Sequence, residues 1–348
     1  MNIIFFTRRF CPQIGGVEKH ALMVGKNLIK LGHKVTVIAE GNNNEKSKEI
    51  DGISVKRIVS GENNWFKKFR IWRKLFEIKK LLKNADVIHC HDVFFWYLPF
   101  KIINPSKKVF TTFHGHETKF PPDKKAIIIR KISEHLSSGN ICVGEYIKKW
   151  YHTKPNFVIY GGVNLVKNQK SFHSTGSERE IKNQKSNLTI TFIGRLEKDL
   201  GIMSYLKSLD LLKKNKIPFD FKSYGEGPLA SRIEKYGEVK EFVSDSTEAI
   251  EFADIVFCSS YLLMLEALIH KKIVISVYEN KLKEDYLRNS PFANFVYICK
   301  DASEIYDVIK SVLDNPWKSE AMVNNGYLWA KDQTWEKVTK TYLELWKI

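Results

Sequence analysis

The chain opens on an apolar stretch, Ile3 to Phe6, and passes through a loop holding Gly15 and Gly16 into a segment with Val17, Ala21, Val24, Leu28 and Leu31 on one face. That spacing is helical, and Gly32 is its stop signal. Lys34-Val35-Thr36-Val37-Ile38-Ala39 follows, a β-branched run of the kind buried on both faces of a parallel sheet. Strand (Asn2 to Phe6), helix and second strand make one βαβ unit. Asp86-Val87-Ile88-His89, Val109 to Phe113 and Phe157 to Tyr160 repeat the strand pattern with helical segments between them.

Residues 166–187 break this rhythm: Lys170, Ser171, Ser174, Gly176, Ser177, Lys185 and Ser186 sit in a polar, aperiodic stretch that reads as a connecting segment. A second alternating series starts at 188. Strand Leu188 to Ile193, helix Gly201 to Lys214, strand Phe219 to Ser223, helix Leu229 to Tyr236, strand Ile255 to Cys258, a helix from about Tyr261 and strand Ile273 to Val277 are expected. The pattern is α/β, with two doubly wound, Rossmann-like domains over 1–165 and 188–332 and a last helical segment over 333–348. Such sheets bind ligands beyond the carboxyl ends of their strands, so the loops of both halves are expected to face one interdomain cleft.

Composition narrows the class. With 348 residues, 43% hydrophobic, and no apolar run near the roughly 18 residues a membrane helix needs, the chain reads as a globular, cytoplasmic protein. Cys11, Cys90, Cys142, Cys258 and Cys299 form no CxxC pair, as expected of reduced thiols. The net charge of +17 is polarised: residues 1–170 hold 31 Lys and Arg against 13 Asp and Glu, and residues 171–348 hold 25 against 26. A basic first half implies an anionic partner surface.

Gly15-Gly16 at a strand-to-helix junction lets a phosphate approach a helix N-terminus, although a tight turn needs the same residues. Gly194-Arg195 and Lys198 follow the first strand of the second half, where two cations suit a diphosphate. Gly225-Glu226-Gly227 follow another strand and offer close backbone approach or a plain turn. Ser260, Tyr261 and Leu262 open a helix on which Glu266 is embedded among apolar residues, the setting of a carboxylate held by donors such as ribose hydroxyls, or by an Arg or Lys.

In their order and spacing, Gly15-Gly16-Val17-Glu18-Lys19-His20, Ala85 to His91, Thr112 to Glu117, Tyr160-Gly161-Gly162-Val163-Asn164, Gly194-Arg195-Leu196, Gly225-Glu226-Gly227-Pro228 and Leu265-Glu266-Ala267 resemble the retaining, nucleotide-sugar-dependent glycosyltransferases of family 4, which have the GT-B fold. The resemblance implies a sugar nucleotide as donor substrate, no metal cofactor and a final helix, Thr334 to Trp346, that returns to the first domain. It implies Gly16 against the donor diphosphate, Arg195 and Lys198 stabilising the leaving group, Glu266 on the ribose and His114 beside the sugar. Two positions depart. Cys258 stands eight residues before Glu266, where the family has a glutamate, and Leu200 precedes Gly201, where it has a lysine.

His89, His91, His114 and His116, with Asp92 and Glu117, offer an alternative, a metal-dependent hydrolase, since alternate residues of a strand share a side. A GT-B protein that binds sugar nucleotides without catalysis is the other. Nucleic acid is not expected, for no recognisable module appears. Trp65 to Lys83 holds ten apolar residues, eight basic ones and the single acid Glu77. Trp65, Phe66, Phe69 and Trp72 interleave with Lys67, Lys68, Arg70 and Arg73, which is a crossover helix and also the composition of a membrane-surface helix. The expected acceptor is therefore a glycan that is lipid-linked or presented at an anionic membrane, and the expected location peripheral.

Overall fold

The computed structural model describes residues 1–12, 15–41, 48–115, 120–165, 187–243 and 245–347. Most of the connecting segment, with His116 and Glu117, lies outside these residues. The chain divides into two compact units, Met1–Gly162 with the helix Trp335–Trp346, and Val163–Thr334.

The first unit is built on β1 (Asn2–Thr7), β2 (Lys34–Glu40), β3 (Lys48–Ile50), β4 (Ile53–Ile58), β5 (Val87–His91), β6 (Val109–Phe113), β7 (Gly139–Val143) and β8 (Phe157–Ile159), in the order β3-β4-β2-β1-β5-β6-β7-β8. All neighbours are parallel except β3 and β4. Every residue of β5 and β6 is buried, including His89 and His91 of β5, whose polar rings must find partners inside the fold. The basic segment over 65–83 is not one helix but two, Lys67–Glu77 and Lys79–Asn84, separated at Ile78. Ile71, Leu75 and Leu82 hold them to Ile4, Phe6, Ile88 and Phe94 in one cluster.

The helix Trp335–Trp346 buries Trp335, Val338, Thr339, Tyr342, Leu345 and Trp346, an i, i+3, i+4, i+7 stripe, against the helix Gly16–Lys30 and against β7 and β8. Each large apolar side chain so covered contributes about 1.5–3 kcal/mol.

The second unit has β9 (Leu188–Ile193), β10 (Phe219–Tyr224), β11 (Glu238–Lys240), β12 (Ile255–Phe257), β13 (Ile273–Val277) and β14 (Tyr297–Cys299), all parallel, in the order β11-β10-β9-β12-β13-β14. That is the dinucleotide-fold order, with its switch point between β9 and β12. The expected helix Leu229 to Tyr236 is a single turn, Ala230–Ile233, before the chain returns as β11. Gly237 makes the return possible: a Cβ there would lie 1.9 Å from the Phe221 carbonyl oxygen. In the first unit the corresponding switch point lies between β1 and β5, so the ligand ends of the two sheets are fixed by topology alone.

Candidate functional site

In the second unit the loops after β9 and β10 lie on one another. Gly194 N–H donates to the Tyr224 carbonyl at 3.0 Å and Leu196 N–H to the Glu226 carbonyl at 2.8 Å. A Cβ on Gly225 would lie 1.8 Å from the Gly194 carbonyl oxygen, and one on Gly227 2.6 Å from that of Leu196. Gly225 and Gly227 therefore have a packing reason to be glycine that needs no ligand. Glu226 is exposed beside them.

Arg195 and Lys198 are exposed at the β9 end. The Arg195 guanidinium donates to the Glu197 carboxylate and, at 2.9 Å, to Asp199. Such exposed pairs contribute 0 to about 1 kcal/mol, so an arriving diphosphate can replace them. Glu266, half-buried on the helix Tyr261–Ile269, accepts from the Ser246 hydroxyl at 2.5 Å. Ser260, exposed, precedes that helix and Leu262 is half-buried in its first turn. The first helical N–H, that of Tyr261, donates to the Tyr286 hydroxyl at 2.8 Å, and the two rings stack 3.9 Å apart with their planes within 3°. Tyr261 is thus already engaged by the protein. Cys258, which stands where the resemblance puts a glutamate, is fully buried, and burial pushes its thiol up to about 12, so it offers no charge to a sugar.

The sequence did not mark Lys283, on the helix Lys281–Arg288. It is 6% exposed, donates from Nζ to the Ser259 carbonyl at 2.5 Å and lies 3.9 Å from the Tyr286 ring centre. Burial pulls its ammonium down to about 7, against the raising influence of Cys258 and Asp199. Nothing in a lysine-rich sequence distinguishes this one before the fold turns it inward.

In the first unit Gly15 is the N-cap of the helix Gly16–Lys30. A Cβ on Gly16 would meet nothing within 4 Å among the described residues, which leaves room for a ligand. The helix end itself is engaged by Glu18: its carboxylate, raised first by burial, is opposed by hydrogen bonds from its own and the Gly15 backbone. A phosphate bound here would have to move that carboxylate aside.

The histidines form a directional chain that sequence spacing could not reveal. The Trp346 indole, which can only donate, gives its proton to His89 Nδ1 at 3.0 Å. His89 therefore carries hydrogen on Nε2 and donates to Thr112 Oγ1 at 2.7 Å. Thr112 in turn donates to the Tyr342 hydroxyl, and Tyr342 to His20 Nε2, each at 2.9 Å. Alongside, His91 Nδ1 and His114 Nε2 are 2.8 Å apart, while buried His91 Nε2 has no partner among the described residues. An idle lone pair is tolerated better than an idle N–H, so His91 donates and His114 keeps its proton on Nδ1. Burial holds all four rings neutral, with His20 down to about 3 and His89, His91 and His114 well below the usual range.

Asp92, at φ 60°, accepts the His114 N–H at 3.2 Å and an Arg130 N–H at 3.3 Å, which anchors the loop after β6. With both ring nitrogens of His89 bonded, the four-histidine metal alternative loses a ligand. No group of three or more His, Cys, Asp or Glu that could hold a metal occurs among the described residues. A hollow of about 520 Å³ lined by Asn2, His33, Lys34, Thr36 and Asn84 lies at the amino ends of β1 and β2, opposite the ligand side of the sheet.

On the basic helix the structure separates the candidate membrane residues. Lys67 pairs with Glu40 at 2.8 Å, Arg70 donates to the Ser60 and Glu62 carbonyls at 2.7 and 2.6 Å, and the Trp72 indole donates to the Phe95 carbonyl at 2.9 Å. These three serve the fold. Trp65, Phe66 and Phe69 are 82%, 63% and 53% exposed, with Lys68 and Arg73 exposed beside them. No helix among the described residues is long and apolar enough to cross a membrane.

Residues 14–167 match the family model described as Glycosyltransferase Family 4. No curated protein matches the chain. Among solved structures, a glycosyltransferase from Rickettsia africae is 18% identical, with 99% of this chain and 97% of that one covered and a TM-score of 0.71. HepE from Anabaena, in complex with UDP and glucose, is 13% identical over 98% of both chains, with a TM-score of 0.71. The catalytic domain of starch synthase IV from Arabidopsis thaliana, bound to ADP and acarbose, is 14% identical over 99% and 98%, with a TM-score of 0.66.

Proposed function

We propose that the chain, a glycosyltransferase of the GT-B type by family match and fold, moves a sugar from a nucleoside-diphosphate sugar to a lipid-linked or membrane-presented glycan, with retention and without a metal. The observation that carries the donor half is the cluster at the β9–β12 switch point, where the Arg195 guanidinium and the carboxylate of Glu266 stand on elements that leave the sheet at its ligand end. UDP and ADP in the two structural relatives favour a nucleoside diphosphate.

In the step proposed, the bond between the anomeric carbon and the diphosphate oxygen breaks and its electron pair stays on the leaving phosphate. The acceptor hydroxyl oxygen bonds to that carbon on the same face and passes its proton to the phosphate oxygen. Negative charge therefore grows on the leaving group, where Arg195 and Lys198 of the second unit are the stabilising groups. Glu266 holds the ribose hydroxyls.

Titration against a panel of nucleoside diphosphates and their sugars, with turnover measured in EDTA, tests this. Glu266→Ala and Arg195→Ala each remove a charge-assisted hydrogen bond worth about 1.5–3 kcal/mol, so donor binding should weaken roughly 10- to 100-fold with an unchanged melting temperature. Parent-like binding by both variants would sink the donor assignment. Loss of turnover in EDTA that Zn²⁺ restores would return the metal alternative.

The basic first half and the ring cluster of Trp65, Phe66 and Phe69 support a reversible membrane contact, each nearby Lys or Arg adding about 1 kcal/mol at an anionic surface. Flotation with anionic vesicles at low salt should fall at least tenfold when Trp65, Phe66, Lys68, Phe69 and Arg73 are changed to Ser. Equal flotation of parent and variant, or equal binding to neutral vesicles, removes this surface as the contact.

A further inference from the structure

We propose that Lys283 is a further phosphate-binding cation of the donor site beside Arg195 and Lys198, supplied from the helix after β13 to the turn at Leu200 and Gly201; this rests on the donor reading above. Two hydrogen bonds connect Lys283 to that turn. Lys283 Nζ donates to the Ser259 carbonyl at 2.5 Å, and the hydroxyl of that same Ser259 donates to the Leu200 carbonyl at 2.8 Å. The ammonium thus reaches, across one residue, the turn that Gly201 closes in the left-handed region at φ 74°.

The surroundings are those of a charge awaiting a partner. Around Nζ stand the Ser259 carbonyl and the Tyr286 ring, with Cys258 from the β12 end and Asp199 and Arg195 from the loop after β9 acting at longer range. One carbonyl and an aromatic face replace little of the hydration an ammonium loses on burial. Asp199 holds the Arg195 guanidinium at 2.9 Å, and an arriving phosphate would take over that guanidinium from it. Lys283 itself keeps donor hydrogens without acceptors among the described residues, at a switch point where this strand order binds phosphates. A diphosphate between Arg195 and Lys283 would supply the missing acceptors.

The chemistry gives this role a signature that a structural lysine lacks. With its ammonium held near 7, Lys283 is mostly neutral at pH 8. A bound polyanion favours the charged form, so binding must draw a proton from the buffer. Calorimetry with uridine, adenosine and guanosine diphosphates and with inorganic pyrophosphate, at pH 8 in two buffers of different ionisation enthalpy, counts it. The parent should take up roughly 0.8 proton per ligand, and affinity should rise about tenfold from pH 8.5 to 7.

Lys283→Met, which replaces a buried charge by an apolar chain of similar length, should keep the parent melting temperature, bind at least tenfold more weakly and take up no proton. Lys283→Arg should bind without uptake. Binding by the parent with no proton uptake, or parent-like affinity in Lys283→Met, overturns this assignment and leaves the donor reading standing. Failure of the parent to bind every probe overturns the donor reading and this inference with it.

Discussion

Trp335→Ala should lower the stability of the first unit by about 3–5 kcal/mol, the cost of a buried aromatic replaced by a cavity. Trp335 is 1% exposed and meets the His20 ring edge-on at 5.4 Å, so its loss also uncovers one end of the Trp346-to-His20 chain. The effect should be confined. Residues 163–334 form a separate unit, so amide exchange resolved by peptide should accelerate in the helix Gly16–Lys30 and in β5 and leave β12 and β13 unchanged. Equal acceleration in both units, or a loss below about 1 kcal/mol, would contradict the packing described for this helix.

Acid should act on the same region. The unfolded chain protonates its histidines from about pH 6.5 downward, whereas folded His20 resists until about 3 and His89, His91 and His114 also stay neutral far below their usual range. Protons therefore bind preferentially to the unfolded state, and stability that is full above pH 6.5 drains away as pH falls. At pH 5 each ring accounts for about 2 kcal/mol, and the four together for several, less than their sum because they are coupled. The urea midpoint of the first unit should drop sharply between pH 7 and 5. Ring nitrogen resonances of the folded protein should keep their neutral values over that range. A midpoint that does not move, or any of the four rings titrating near 6.5, would refute the account.

What could be read from sequence followed burial. β1, β2, β5, β6, β9, β12 and β13 are buried over most of their length, so apolar and β-branched residues dominate them and stand out as runs. β7, Gly-Asn-Ile-Cys-Val, opens on two residues that usually mark turns, and β3, Lys-Glu-Ile, and β11, Glu-Val-Lys, are short and mostly charged. Sites behaved similarly. The motifs bearing Arg195 and Glu266 are local stretches that a sequence displays whole. Lys283 and the partners of the histidines do not stand out there, since His20 and Tyr342 meet across 322 positions and only the fold brings them together. Gly225 and Gly227 teach the opposite lesson, because a glycine motif that suits a ligand is also what two loops need to lie in contact.

The helix Trp335–Trp346 also sets an order of events during synthesis. It belongs to the first unit but is translated only after residues 163–334, which at about 5–20 residues per second takes roughly 10–30 s. For that interval the nascent first unit carries Phe5, His20, His89 and Thr112 without their cover, an aromatic and partly polar face open to solvent on the ribosome. The second unit can close in the meantime. A chain of this design is born with its histidine cluster wet, and that cluster is sealed last.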